Sequence, residues 1–518
     1  MGGQPSRPIT AADSEKLILE RLRSFRVGDE GTLDEHEVHV GGDAEKTDAG
    51  GTENEEHERA RREPEGLPVS SLELWIDNVM KDPKNRLAHA ALSSSDPRQA
   101  LATRASRVAN QHVFNVQIPL EGGPITNQRS SGRCWLFAST NVFRVALMKR
   151  HGLASFELSQ AYLFYWDKLE KANWFLEQVV QTAGDDLGSR VVQRLLGDMV
   201  SDGGQWDMVY NLVDKYGLVP QSLYPDSWSA MNSGALDGIL RTKLREHALR
   251  LRELCNGLPV APSWISAYKA RMMQEIALVM TLLLGQPPKP SEEFTWQYVD
   301  RDGRAREVTA SPRAFARDIS SAGCRVTADA VRSMLSLVHD PRHDPLRKLT
   351  VSRLGNVVGG RDVAYVNVEM ETLRAACVKM LRAGVPVFFG CDVGKFSDRA
   401  AGIMDLDLVD YEAGFNTSLR GMTKAQRLMT GESLMTHAMV LTAVHLDEKT
   451  GRPVRWRVQN SWGTAVGDKG WFVMSDAWMD EFVYQAVVDP RFVGREVRDV
   501  LKQEAIVLPL WDPMGSLA

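Results

Sequence analysis

What this chain has little of narrows it first. Cysteine is scarce: five residues in 518 (Cys134, Cys255, Cys324, Cys377 and Cys391), widely scattered and with no C-x-x-C pair. That is too few for a disulfide framework and fits a reducing, intracellular setting, so a cytoplasmic location is the expectation. Long apolar runs are lacking too. The longest, Ile276 to Leu284, is interrupted by Thr281 and falls far short of the ~20 residues that span a bilayer. No apolar core segment marks the first residues as a secretory signal, although Met1-Gly2-Gly3-Gln4-Pro5-Ser6 fits the loose N-myristoylation pattern. Nor is there an excess of one charge. The net charge of −5 comes from residues 1–66, which carry nine Lys and Arg against seventeen Asp and Glu, while the remainder holds 53 against 50. A body so close to neutral binds nucleic acid only through a local patch that composition does not reveal.

The length and the 43% hydrophobic content allow a large core and more than one structural unit. Five segments are expected. Residues 1–66 form an acidic leader with a short amphipathic run, Ala12 to Arg23, followed by a Gly-rich stretch too poor in apolar residues to offset the cost of ordering. Residues 67–229 read as a helical part. Ser70-x-x-Glu73 has the form of a capping box ahead of Leu72, Trp75, Ile76 and Val79, Asp82-Pro83 ends that helix, and a second helix is predicted over Pro97 to Ala109. Phe114, Val116 and Ile118 alternate with polar residues as a strand does, and residues 156–200 read as helical. In residues 230–350, helical patterns over Ala235–Leu254 and Ser263–Leu284 precede a hairpin, Phe294 to Thr309, turning at Asp302-Gly303. Residues 351–500 are expected to be β-rich, and residues 501–518 form an apolar tail stiffened by two prolines, which suits packing into a groove.

Asn127-Gln128-Arg129-Ser130-Ser131-Gly132-Arg133-Cys134-Trp135 is the stretch that organises the rest. It is a Ser/Gly-rich turn leading into an amphipathic run, Leu136 to Arg150, closed by His151-Gly152. Cys134 therefore falls in the first turn of a long helix, where unpaired N–H groups and the macrodipole favour a thiolate, the reactive form of a cysteine nucleophile. Gln128 is placed to offer an amide N–H to an oxyanion forming beside that sulfur. The plain alternative is a small buried core residue.

Further along, Thr436 to Val444 reads as a strand, Glu448 to Gly451 as a turn and Val454 to Asn460 as a returning strand. That pairing brings His437 towards Asn460. A histidine among eleven is commonly structural; its partner sets His437 apart. An asparagine oxygen accepts the imidazole N–H and fixes which ring nitrogen faces the sulfur, while Trp462 covers the bond. Gly203 and Gly204, in Asp202-Gly203-Gly204-Gln205-Trp206, expose backbone to which another chain can pair. Such a site calls for no metal or organic cofactor.

Gln128 with Gly132-x-Cys134-Trp135, His437-Ala438 and Asn460-Ser461-Trp462-Gly463 resemble the active-site signatures of papain-like cysteine peptidases. His437 follows Cys134 by 303 residues, against ~130–150 in the simple members, which points to an inserted helical subdomain. Ser-Ser-Gly-Arg-Cys-Trp, Asp-Gly-Gly-Gln-Trp-Asp-Met, Phe-Gly-Cys-Asp-Val-Gly, Gly-Glu-Ser-Leu-Met-Thr-His-Ala-Met and Trp-Asp-Pro-Met-Gly, spread over about residues 70–518, are similar to the bleomycin hydrolase family of cysteine aminopeptidases. The resemblance implies an α+β fold: a papain-like core of a helical and an antiparallel β half, a helical insertion, and a C-terminal tail in the cleft. It implies Cys134 as nucleophile, His437 as base, Asn460 as its orienter and Gln128 in the oxyanion hole. Gly203, Gly204 and Trp462 would line the substrate cleft, and the carboxylate of Ala518 would meet the substrate's amino terminus. It further implies a cytoplasmic homohexamer acting on peptides, the carboxamide of bleomycin and homocysteine thiolactone, with nucleic-acid binding in some members. The rivals are a nucleic-acid-binding or scaffolding hexamer whose peptidase site is incidental, and a peptidase fold used for acyl transfer.

Overall fold

A computed structural model describes residues 66–257, 261–317, 320–321, 324–325 and 333–517. The acidic leader with its amphipathic run and myristoylation pattern lies outside them, Gly66 excepted, as does Ala518. Backbone contacts divide the chain into two units, Met1–Thr103 with Val409–Gly421, and Arg104–Leu408 with Met422–Ala518.

In the first unit the helix Val69–Lys81 starts before Ser70, with Pro68 at its N-cap and no side-chain capping bond. The predicted capping box is therefore absent, because Ser70 already lies inside the first turn and is not the extended residue that a cap requires. Asp82 ends this helix as predicted, and its carboxylate accepts the Lys84 N–H to open a second, Pro83–Leu92, which the apolar periodicity did not signal. The helix predicted over Pro97–Ala109 is two pieces, Pro97–Ala100 and Arg104–Ala109. Between them Ala102 is drawn into a backbone bridge with Val409. No residue of Val69–Lys81 is buried, so Trp75, Ile76 and Val79 leave an apolar face uncovered.

The second unit is built on one helix and one large sheet. The helix Cys134–His151 is buried from Cys134 to Met148 and ends at Gly152 in the left-handed conformation, φ 62°, as its glycine foretells. The helices Gln160–Gln181, Gly234–Gly257 and Pro262–Leu284 pack on one another. In the hairpin Phe294–Val299 and Ala305–Ala310, Trp296 pairs with Val308 and Gly303 turns the chain at φ 79°.

The main sheet runs in the order Ser397–Asp398, Ile403–Met404, Trp471–Ser475, Pro453–Gln459, His437–Leu446, Val387–Cys391, Val483–Val488, Leu335–Val338, Tyr365–Asn367, Arg347–Val351, Ile506–Leu508. Val116–Gln117 adds to the His437 strand; the strand predicted from Phe114 to Ile118 is only these two residues. Leu335–Val338 and Arg347–Val351 come from the stretch read above as helical insertion, and Leu335–Val338 is buried throughout. Burial of all four residues is what a strand covered on both faces shows, and the one polar side chain, Ser336, accepts from Gln485 Nε2 at 3.0 Å. The His437 strand is covered likewise. Ala438 and Val440 join the core around the Cys134 helix, Met439 and Leu441 the core around the helix Met370–Arg382, the period of two expected of a strand. Among the described residues no helix is long and apolar enough to cross a membrane.

Candidate active site

The turn before Cys134 is held from two sides. On one side it pairs with the segment after Asn460: the Gln128 N–H donates to the Ser461 carbonyl at 2.8 Å and the Gly463 N–H to the Thr126 carbonyl at 3.0 Å. Gly463 has φ 75°, and a Cβ there would stand 2.5 Å from the Asn127 side chain, so only glycine lets the strands approach. On the other side, the Gly132 N–H donates to Asp202 Oδ2 at 2.7 Å and the Trp135 indole N–H to the Asp202 carbonyl at 2.6 Å. The Asn-Ser-Trp-Gly and Asp-Gly-Gly motifs thus flank the same turn.

His437 Nε2 lies 2.9 Å from Asn460 Oδ1. That oxygen also accepts the Ser461 backbone N–H at 2.8 Å, which fixes the orientation of the amide: an atom facing an N–H donor is the carbonyl oxygen. Nε2 then carries the proton, and Nδ1 keeps the lone pair. The Trp462 ring stands 4.8 Å from the imidazole, centroid to centroid, and is itself backed by Phe472 and by the Arg399 guanidinium at 4.8 Å. The backbone N–H groups of Ala438, next to His437, and of Trp135 favour the charged form of the Cys134 sulfur. Gln128 is buried, with Oε1 accepting from the Ser461 hydroxyl at 2.7 Å and Nε2 donating to the Ser131 carbonyl at 2.6 Å. A carboxamide nitrogen has two hydrogens, so one remains to be offered.

Burial governs the charges. Cys134 and His437 are 2% and 4% exposed. Burial pushes the thiol up to about 11, against the N–H donors of Ala438 and Trp135 and with a small upward push from the Asp202 carboxylate. It pushes the imidazole down to about 4; the Asn460 bond opposes this and Arg399 adds to it. The helix start favours the thiolate by about 0.3–1 kcal/mol, and burial works the other way. Burial thus opposes a charge on either group alone, and a lone buried charge calls for a partner of opposite sign.

Gly203 and Gly204 differ. The Gly203 carbonyl accepts from Lys171 Nζ at 2.6 Å, and the residue lines a cavity of about 200 Å³ with Trp174, Leu354, Ser516 and Leu517. Gly204 is buried, and a Cβ there would meet the Trp135 ring at 2.5 Å, so its lack of a side chain serves packing. The tail approaches the same place. Gln205 Nε2 donates to the Ser516 carbonyl at 3.0 Å, and the Ser516 hydroxyl to the Met435 carbonyl at 2.9 Å. Residues that periodicity did not mark sit beneath: Lys168, with no side-chain exposure, is ion-paired at 2.6 Å to both Asp202 and Asp237. Lys168 lies on a helix read only for its apolar stripe, and an isolated lysine there carries no signal. Cys134, Cys255, Cys377 and Cys391 are free thiols.

A cysteine opening a buried helix, packed on a largely antiparallel sheet that carries a histidine bonded to asparagine, is the build of a papain-like cysteine peptidase. The comparisons agree and go further: the chain belongs to the Peptidase C1-like family, whose profile matches residues 66–515. It is 41% identical over 459 residues to human bleomycin hydrolase, covering 88% of this chain and 99% of that one. It is 41% identical over 466 residues to "Cysteine proteinase 1, mitochondrial" of Saccharomyces cerevisiae, covering 88% and 94%. A crystal structure of PepW from Lactobacillus rhamnosis superposes with a TM-score of 0.83 at 38% identity, covering 88% and 99%. The chain is thus a cysteine peptidase of the bleomycin hydrolase type.

Proposed function

We propose that the protein is a thiol aminopeptidase working through Cys134, His437, Asn460 and Gln128. The observation that carries this reading is the His437–Asn460 bond at 2.9 Å, on a strand whose next residue, Ala438, shares one core with Cys134. His437 Nδ1 takes the thiol proton as the sulfur adds to the scissile carbonyl carbon. The oxyanion is met by the Cys134 backbone N–H and the free hydrogen of Gln128 Nε2. The adduct collapses with loss of the C–N bond, His437 returns the proton to the leaving amine, and water hydrolyses the thioester with His437 again as base. Cys134→Ser and His437→Ala are expected to abolish turnover of aminoacyl-fluorogenic substrates while the circular dichroism spectrum is retained. Full activity in either would overturn the assignment.

The course of Ser516 and Leu517 past Gln205, Met435 and Gly203 supports removal of residues from the amino terminus. Ser516 and Leu517 run beside Gly203, which would leave Ala518 to meet the substrate's amino group; Gly203 and Trp462 would border the substrate. Deleting Met514 to Ala518 is expected to shift the products from single amino acids to internal fragments, read by mass spectrometry of a peptide digest. By likeness to the human relative's name, the carboxamide of bleomycin is a substrate of this reading, alongside peptides and homocysteine thiolactone. Self-association as a cytoplasmic homohexamer goes with it, and the uncovered Trp75, Ile76 and Val79 are the kind of face that association covers. Sedimentation at six times the chain mass tests that.

A further inference from the structure

The tail is fastened well before it reaches the candidate site. Ile506–Leu508 pairs in parallel with Leu349–Val351 at the sheet edge. Three residues of edge pairing, with Val507 mostly exposed, are a weak hold. The stronger one follows. The Asp512 carboxylate takes both Nη atoms of Arg342, at 2.8 and 3.2 Å, and its Oδ1 also accepts the Met514 N–H at 2.8 Å. Arg342 is itself preset. The buried Asp340 carboxylate accepts its Nε and Nη2 at 2.9 and 2.8 Å, and its backbone N–H at 3.1 Å. A guanidinium locked on one side by a buried carboxylate presents the other side without loss of rotamer freedom, which makes the bidentate pair strong and directional.

Downstream of this clasp Met514 is buried, its carbonyl accepting from the Tyr365 hydroxyl at 3.2 Å. Ser516 then spans two walls. Its carbonyl bonds to Gln205, next to Gly204, and its hydroxyl to Met435, two residues before His437.

We infer that Arg342, held by Asp340, is a positioning residue that determines specificity. It fixes where the tail stops, and so how much substrate fits on the amino-terminal side of the scissile bond. The inference rests on the tail-gated aminopeptidase reading above. A tail unclasped at Asp512 keeps the edge pairing, the buried Met514 with its Tyr365 bond and the Ser516 bonds, but it loses its bidentate ion pair and yields space to a chain with no free amine.

The test uses full-length protein and a pair of peptides alike except for N-acetylation. Arg342→Gln and Asp512→Asn are expected to raise the ratio of blocked- to free-peptide cleavage about tenfold, the equivalent of one lost charge-assisted hydrogen-bonded contact. KM for the free peptide should rise more than kcat falls, which a mere loss of fold would not produce. Asp512→Asn keeps an oxygen for the Met514 N–H and lies at the chain end, so it decides the matter if Arg342→Gln fails to fold. If deletion of Met514 to Ala518 raises the ratio but neither clasp variant does, the clasp is overturned and tail gating stands. If the deletion does not raise it either, tail gating falls and the clasp with it.

Discussion

Asn460 does two jobs with one oxygen: it accepts from the Ser461 N–H and from His437 Nε2. Its bond to the imidazole works against the burial that pushes His437 down to about 4. Asn460→Ala therefore weakens the imidazolium and releases the ring. The expected result is a fall in kcat/KM of about a hundredfold, measured with an aminoacyl-fluorogenic substrate, together with a stability loss of about 1–3 kcal/mol from the buried donors left unpaired. Gly204 gives a contrasting residue-level prediction. Its missing side chain makes room for Trp135, so Gly204→Ala should cost about 1–3 kcal/mol of stability, seen as an earlier urea midpoint.

At the level of elements, the Cys134 helix is positioned by what stands around its start. Asp202 ties three segments together: the turn through Gly132, the indole of Trp135, and Ser233, whose hydroxyl donates to Oδ2 at 2.5 Å. Lys168 on the helix Gln160–Gln181 balances Asp202 and Asp237, and Asp237 lies in the helix Gly234–Gly257. The first helix of the inserted stretch is thus fastened to the candidate site by charge. Lys168→Met would strand the buried Asp202 carboxylate and the half-buried one of Asp237, and removal of one partner from a buried pair costs about 3–5 kcal/mol. Chemical denaturation should register that loss, with a parallel drop in activity.

For the molecule as a whole, pH enters through buried carboxyls. Asp207 is pushed up to about 6 by burial, although the Arg361 guanidinium, ion-paired at 2.8 Å, and the Ala364 N–H work the other way. The unfolded chain releases that proton near the ordinary aspartate value of about 3.9. Between the two values the folded state holds more protons, so this contribution to stability is full below about pH 4 and is lost as pH rises through about 6. Over that window the melting temperature of Asp207→Asn should fall less, or rise more, with pH than that of the unaltered protein.

The sequence by itself determined many of the elements, the family and the candidate residues. Period-3.6 and period-2 patterns marked the Cys134 helix, the two helices and hairpin of the inserted stretch, and the His437 strand. Gly152 and Gly303 marked the ends and turns, because left-handed φ is a local demand that few other residues meet. Cys134, Gln128, His437 and Asn460 were legible as reactive types beside diagnostic neighbours. Only the tertiary structure decided what depends on distance through space. It set Asp202 against Gly132 and Lys168, and Arg342 against Asp512. It gave Gly204 a packing role and Gly203 a place on a cavity wall, and it set burial against the helix start at the sulfur. Ion pairs and desolvation follow from which segments meet, and no periodicity along the chain encodes that.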